Sequence, residues 1–151
     1  MKLIAKIVGG IGILIVIVLA GQVGKEVGRS AGESMMGKSG QKIPDKYLAQ
    51  AADALNKNLP MMVDADTRLE STMGFNQRFQ YKYTLVKYSS NSISPPQLIS
   101  AMRQKVKNQV CSNADMKPMV EGGITMVYSY FGNDGRHIAS IEIPSSACSR
   151  R

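Results

Sequence analysis

One uncharged run near the start constrains what this chain can become. From Ile7 to Gly24 no residue carries a charge, and Ile11–Ala20 is aliphatic apart from Gly12. About 20 apolar residues cross a bilayer as a helix, so the run predicts a transmembrane anchor over residues 1–24. A cleaved signal peptide is the alternative. Met1 to Lys6 is a short basic start, and Val18 and Ala20 satisfy the small-residue rule for cleavage before Gly21. No cysteine follows the run, which excludes a lipoprotein anchor. Both readings send the rest of the chain out of the cytoplasm. The expected location is the inner membrane, single-pass, with the C-terminal domain in the periplasm. The alternative is a secreted form released near Ala20. Lys25 and Arg29 oppose Lys2 and Lys6, so the flanking charges leave orientation open.

Residues 25–42 read as a juxtamembrane linker rich in Gly, Ser and Lys. Gly24, Gly28 and Gly32 recur every fourth residue, and on a continuing helix they would share one face. Small residues at that spacing let two helices approach closely, which makes these three a candidate helix-association face. Glycine disfavours helix outside the membrane, so the linker reading is the simpler one.

The remaining residues, 43–151, are long enough for one modest core. Pro44 and Asp45 start a helix on which Tyr47, Leu48, Ala51, Ala52, Leu55 and Leu59 recur at helical spacing, with Asn58 and Pro60 as its stop. The period then shortens to two. Thr67, Leu69 and Ser71 lead to a turn at Gly74–Gln77, followed by an aromatic strand with Phe79, Tyr81, Tyr83 and Leu85 on one face. Ser94, Pro95 and Pro96 open a second helix, along which Leu98, Ile99, Met102, Val106 and Val110 form a stripe ending at Cys111. A short helical turn within 115–121 stops at Gly122-Gly123. Ile124–Phe131 and Arg136–Ile143 make a second hairpin around Gly132–Gly135. The order helix–hairpin–helix–hairpin predicts an α+β domain: an antiparallel sheet of about four strands with helices packed on one face.

The net charge of +8 excludes less than its size suggests, because half lies in residues 1–42 around the apolar run. There Lys and Arg meet anionic lipid head groups. The rest is spread along the folded part with no aromatic-interleaved basic run, so membrane lipid and not nucleic acid is the expected partner of the charge.

Cys111 and Cys148 are the two cysteines, and their spacing fits neither a metal motif nor a redox CxxC. In an exported domain they are expected to form a disulfide that ties the end of the last strand to the end of a core helix. Two free thiols would be expected if the domain stayed in the cytoplasm.

Candidates for chemistry are few. His137 is the single histidine, placed beside a turn. Asp64, Asp66 and Arg68 are the more interesting group. Alternate carboxylates on an extended segment would face one side and could share a proton or hold a cation. Local capping, or pairing with Arg68, is the plainer reading. No spacing marks a catalytic set, a metal site or a cofactor.

The run Leu59–Leu69, the strand Tyr81–Leu85, and then Cys111, Gly123, Tyr128-Ser129-Tyr130, Gly135 and Cys148 resemble a family of small, uncharacterised bacterial membrane or exported proteins. The resemblance spans roughly residues 50–148. It implies export and pairing of the cysteines, and it carries no activity and no functional residues. The expectation is a non-enzymatic, membrane-tethered envelope module whose partner is another envelope protein or a second copy of itself. A small hydrolase or cation-dependent enzyme using Asp64, Asp66 and Arg68 is the alternative.

Overall fold

The computed structural model describes residues 42–149. The expected anchor, nearly all of the expected linker, and the Gly24, Gly28 and Gly32 face lie outside the described residues. Among the described residues, no helix is long and apolar enough to cross a membrane.

Helix α1 (Asp45–Asn56) buries Leu48, Ala51, Ala52 and Leu55, the stripe expected from its spacing. It is followed by β1 (Met61–Met62), β2 (Thr67–Phe75) and β3 (Arg78–Leu85). Helix α2 (Pro95–Ser112) buries Leu98, Met102, Val106 and Val110. Its two leading prolines lack the N–H groups that a helix start leaves unpaired, and the Ser94 side chain makes no capping bond. The short helix α3 (Lys117–Glu121) leads to β4 (Thr125–Gly132) and β5 (His137–Ile143).

The sheet has five strands in the order β1-β2-β3-β4-β5, not about four. It is also mixed. Strands β3 and β4 run parallel, while every other neighbouring pair is antiparallel. The expectation of an all-antiparallel sheet fails at this junction for a topological reason. A parallel pair needs a long crossover, and residues 86–124 with α2 supply one between β3 and β4. The two hairpins therefore do not meet as separate units; they share a central parallel seam. Helix α1 lies against β2 and α2 against β5, both on one face, as the sequence suggests.

The seam is built from tyrosine. The register sets Tyr81 beside Tyr128 and Tyr83 beside Tyr130. Their rings stack with centroids 5.2 and 5.5 Å apart. Such aromatic pairs add about 0.5–1.5 kcal/mol each beyond their buried area. All four side chains are buried under the helices. The Tyr81 and Tyr128 hydroxyls find no hydrogen-bond partner among the described residues.

Strand β2 departs from strict alternation. A bulge between Leu69 and Ser71 shifts its phase, so Thr67 and Leu69 are followed on the core face by Thr72 and Gly74, and Ser71 turns outward. The shift seats α1. A Cβ on Gly74 would stand 2.5 Å from the Leu48 carbonyl oxygen, so glycine is what lets the helix lie this close. Asn56 closes the outer edge of β2. Its Oδ1 accepts the Thr72 N–H at 2.7 Å and its Nδ2 donates to the Thr72 carbonyl at 2.9 Å. The hairpin then turns through Asn76 and Gln77, with φ of 51° and 57°. A two-residue turn with positive φ at both positions matches the twist of the strands it joins.

Burial holds the hydroxyls of Tyr81, Tyr83, Tyr128 and Tyr130 protonated well above the ordinary tyrosine range, with neighbouring tyrosines adding to the effect at Tyr83 and Tyr128. The folded chain therefore keeps protons that the unfolded chain releases above about pH 10. The stabilisation is intact below that pH and falls as pH rises. In an alkaline titration followed by tyrosinate absorbance, these four should ionise only together with unfolding. Smooth ionisation of all six tyrosines while the far-ultraviolet circular dichroism stays native would contradict the seam.

Candidate functional site

The segment 63–66 is bent, not extended, so Asp64 and Asp66 do not form the alternating pair expected from the sequence. Asp64 Oδ1 accepts the Asp66 N–H at 2.8 Å, a local turn of the kind Asp favours between elements. Asp66 in turn forms an ion pair with Lys87. The hydrogen bond to Asp66, and then its charge, raise the Lys87 ammonium above the ordinary lysine value. Arg68 does not pair with either aspartate; its Nε donates to Glu70 Oε1 at 2.8 Å. The three predicted residues are thus brought near one end of the sheet, with Asp66 and Arg68 in separate ion pairs and Asp64 bonded to the Asp66 backbone. Among the described residues, no group of three His, Cys, Asp or Glu could hold a metal ion.

A second polar arrangement occupies the other face of the sheet, against which no helix among the described residues lies. Gln80 Nε2 donates to Ser129 Oγ at 3.0 Å, Ser129 and Ser140 share a hydrogen bond of 2.8 Å, and Ser140 Oγ lies 2.9 Å from His137 Nε2. The row runs across β3, β4 and β5. A serine beside an imidazole is the first element of an acyl-transfer pair, which also needs a group orienting the imidazole. Here the ring's neighbour is Phe131, edge-on at 5.3 Å. The arrangement ties three strands together; Ser129 at its centre is buried, Gln80 and Ser140 are half-buried, and His137 is the exposed end. Sequence reasoning missed it because Gln80 joins the row only through the parallel register of β3 with β4, and His137 only through the bulge at Tyr130/Phe131, and no local motif marks either.

The remaining charges on this face pair in the same manner. Arg78 on β3 reaches across to Glu142 on β5. Lys82 lies over the Phe131 ring at 4.8 Å. At the far turn, Asp134 accepts the Ser90 hydroxyl at 2.7 Å. That hydrogen bond, joined by backbone N–H groups, holds its carboxyl below the ordinary range. Strand β5 pairs with β4 on one side and with no strand among the described residues on the other. Its outer edge therefore presents backbone donors and acceptors. The three most exposed large apolar side chains, Met62, Met73 and Phe75, all belong to β1 and β2. Register places Met62 beside Arg68, Met73 beside Gln80 and Phe75 beside Arg78, all on the uncovered face.

Cys111 and Cys148 form the expected disulfide, with Cα atoms 5.0 Å apart. Cys111 is the penultimate residue of α2, and Cys148 ends a short 3-10 turn, Ser145–Cys148, just past β5. The bridge closes a loop of 37 residues between helix and strand end. In the chain-entropy account this contributes about 3–4 kcal/mol. Replacing Cys148 with Ser, together with Cys111→Ser to avoid a free thiol, should lower the melting temperature by about 10 °C or more while leaving the sheet formed. An unchanged melting temperature under reducing and oxidising conditions would remove the disulfide's structural role.

Comparison with known proteins places the fold. No curated protein sequence matches the chain. Three solved structures share its architecture. A candidate secreted protein of Pseudomonas aeruginosa superposes with a TM-score of 0.56 at 15% identity, covering 73% of this chain and 100% of that one. The type II secretion system pilotin EpsS of Vibrio vulnificus gives 0.56 at 11% identity, covering 71% of this chain and 93% of that one. The pilotin AspS of Vibrio cholerae, also from a type II secretion system, gives 0.52 at 13% identity, covering 69% of this chain and 91% of that one. At these identities the likeness is one of fold. A family model spans residues 42–139, from the first described residue to the middle of β5 and short of Cys148, and so the chain belongs to the family described as a domain of unknown function, DUF8479.

Proposed function

We propose that this chain is a non-enzymatic envelope module, tethered to the inner membrane by residues 1–24, that docks another envelope protein. The observation that carries this reading is the sheet's one-sided construction. Both core helices cover one face, while among the described residues no helix covers the other face and no strand pairs with the outer edge of β5. An open edge can accept a partner's strand through main-chain hydrogen bonds, and side chains on the adjoining face then select among partners. The paired polar rows on that face, Gln80–Ser129–Ser140–His137 and Arg78–Glu142, would supply that selection.

The shared fold supports the same reading. Two of the similar structures are described as pilotins of type II secretion systems and the third as a candidate secreted protein. The pilotin descriptions fit an assembly role, the third fits export, and a disulfide-bonded domain fits an oxidising compartment. In this reading the domain sits in the periplasm, and cleavage near Ala20 would give a released form. The Gly24, Gly28 and Gly32 face would let two anchors associate. The hydrolase reading built on Asp64, Asp66 and Arg68 draws no support from a site whose Asp66 and Arg68 are engaged by Lys87 and Glu70.

The test is photo-crosslinking of the full chain at native expression in intact envelopes. A benzophenone amino acid at His137, on the open edge, should yield a discrete adduct with one envelope protein. The same group at Arg103, on the solvent side of α2, should yield none. Equal adducts from both positions, or none from either, would remove β5 as a docking edge, and an adduct of twice the chain's own mass would assign the edge to a second copy.

A further inference from the structure

The most exposed apolar side chains stand at one particular end of the molecule. Phe75 is 64% exposed and Met73 61%, both close to the turn that joins β2 to β3. Solvent exposure of an aromatic ring beside an exposed methionine at a hairpin tip needs an explanation when every other Phe and Tyr ring among the described residues is buried or half-buried.

That tip is fastened to the place where the described chain begins. Gln77 Nε2 donates to the Ile43 carbonyl at 2.6 Å, and Asp45 Oδ1 accepts the Asn76 N–H at 2.8 Å. The Ile43 side chain also packs against Gly122 so tightly that a Cβ there would meet it at 2.6 Å. The entering chain and the hairpin tip are therefore one rigid corner. Lys42 and Lys46 are exposed at that corner. Between Lys42 and the end of the apolar run at Gly24 lie only residues 25–41. As a Gly-rich coil they would span about 23 Å, comparable with the length of an eight-residue strand, about 27 Å. The linker therefore allows this end to touch the bilayer and the opposite end to stay away from it.

We propose that the Phe75 corner is the membrane-facing end of the domain: Phe75 and Met73 enter the interfacial layer of an anionic bilayer while Lys42 and Lys46 meet its head groups. An aromatic and a flexible thioether beside lysines is the composition that partitions to that layer. The contact fixes the domain's direction. Met62, the Asp66–Lys87 pair and the Ser90–Asp134 turn then point away from the membrane, and β5 runs from the distal end toward the bilayer. This inference rests on the tether proposed above.

The sequence contains no tryptophan, so a single introduced indole reports on one position. Full-length chain carrying Phe75→Trp, and separately Met62→Trp, would be reconstituted into phosphatidylethanolamine–phosphatidylglycerol vesicles, with native circular dichroism required of each. Met73→Trp is the second reporter should Phe75→Trp not fold. Vesicles with brominated acyl chains should quench most of the Phe75→Trp emission and little of the Met62→Trp emission. A chain that fails to float with the vesicles overturns the tether and this orientation together. A chain that floats, but whose Phe75→Trp indole is quenched by aqueous acrylamide and not by brominated lipid, overturns the orientation alone. An indole shielded from both quenchers assigns the corner to a contact with a second copy and likewise overturns it.

Discussion

The parallel pairing of β3 with β4 is the interaction on which the rest of the domain depends. Parallel neighbours cannot be joined by a tight turn, so the chain must leave the end of β3, travel back along the sheet and enter β4 from the same end. Helix α2 makes that return journey, and its position against β5 follows from it. The seam is worth the excursion because it brings four tyrosines into two stacked rows at the centre of the core. Two of those tyrosines bury hydroxyls with no partner among the described residues. An unpaired buried hydroxyl costs about 1–3 kcal/mol. Stacking and apolar burial must therefore outweigh a real penalty at the middle of the sheet.

Around the seam, the peripheral elements add specific clamps to the apolar stripes they bury. Helix α1 depends on the missing Cβ at Gly74 and on the Asn56 side chain, which bonds the backbone of Thr72 as a neighbouring strand would. At the distal end, a Cβ on Gly132 would stand 2.4 Å from the Ser90 backbone nitrogen, so the β4–β5 turn and the segment after β3 are in close contact. The disulfide fastens the end of the chain to α2. Each clamp joins residues far apart in sequence, which suits a domain of about 110 residues with a modest core.

Much of this was readable from residue order, and the omissions have a common cause. Both core helices, the tyrosine strand, the Gly132–Gly135 turn and the cysteine pairing follow from local periodicity, turn chemistry and the oxidising destination implied by the apolar run. The parallel seam did not follow, because hydrophobic alternation on Phe79–Leu85 and Ile124–Phe131 is the same whichever way the strands run. The bulge at Leu69/Ser71 was hidden for a similar reason: Thr67, Leu69 and Ser71 alternate well, and only the seating of Leu48 on Gly74 shows why the phase must shift. For the Asp64–Arg68 cluster, a cation or proton site stood as the alternative to local capping and rested on extended geometry; the bend at 63–66 gives Asp64 a local bond to the Asp66 N–H, and Lys87, arriving from beyond β3, pairs with Asp66. Long-range register decides both the polar row on the open face and the fate of these carboxylates.

Under the proposed docking role, one-sided coverage and a strong central seam belong together: the seam would keep the sheet formed while a partner used the uncovered face and the β5 edge. Native-state hydrogen exchange of the full chain tests that claim most directly, because it ranks the strength of each element. The account predicts that amides of Phe79–Leu85 and Met126–Tyr130 exchange last, only through global unfolding, and keep that rank after the disulfide is reduced. Slowest exchange in α1 and β2, or loss of seam protection on reduction, would contradict it.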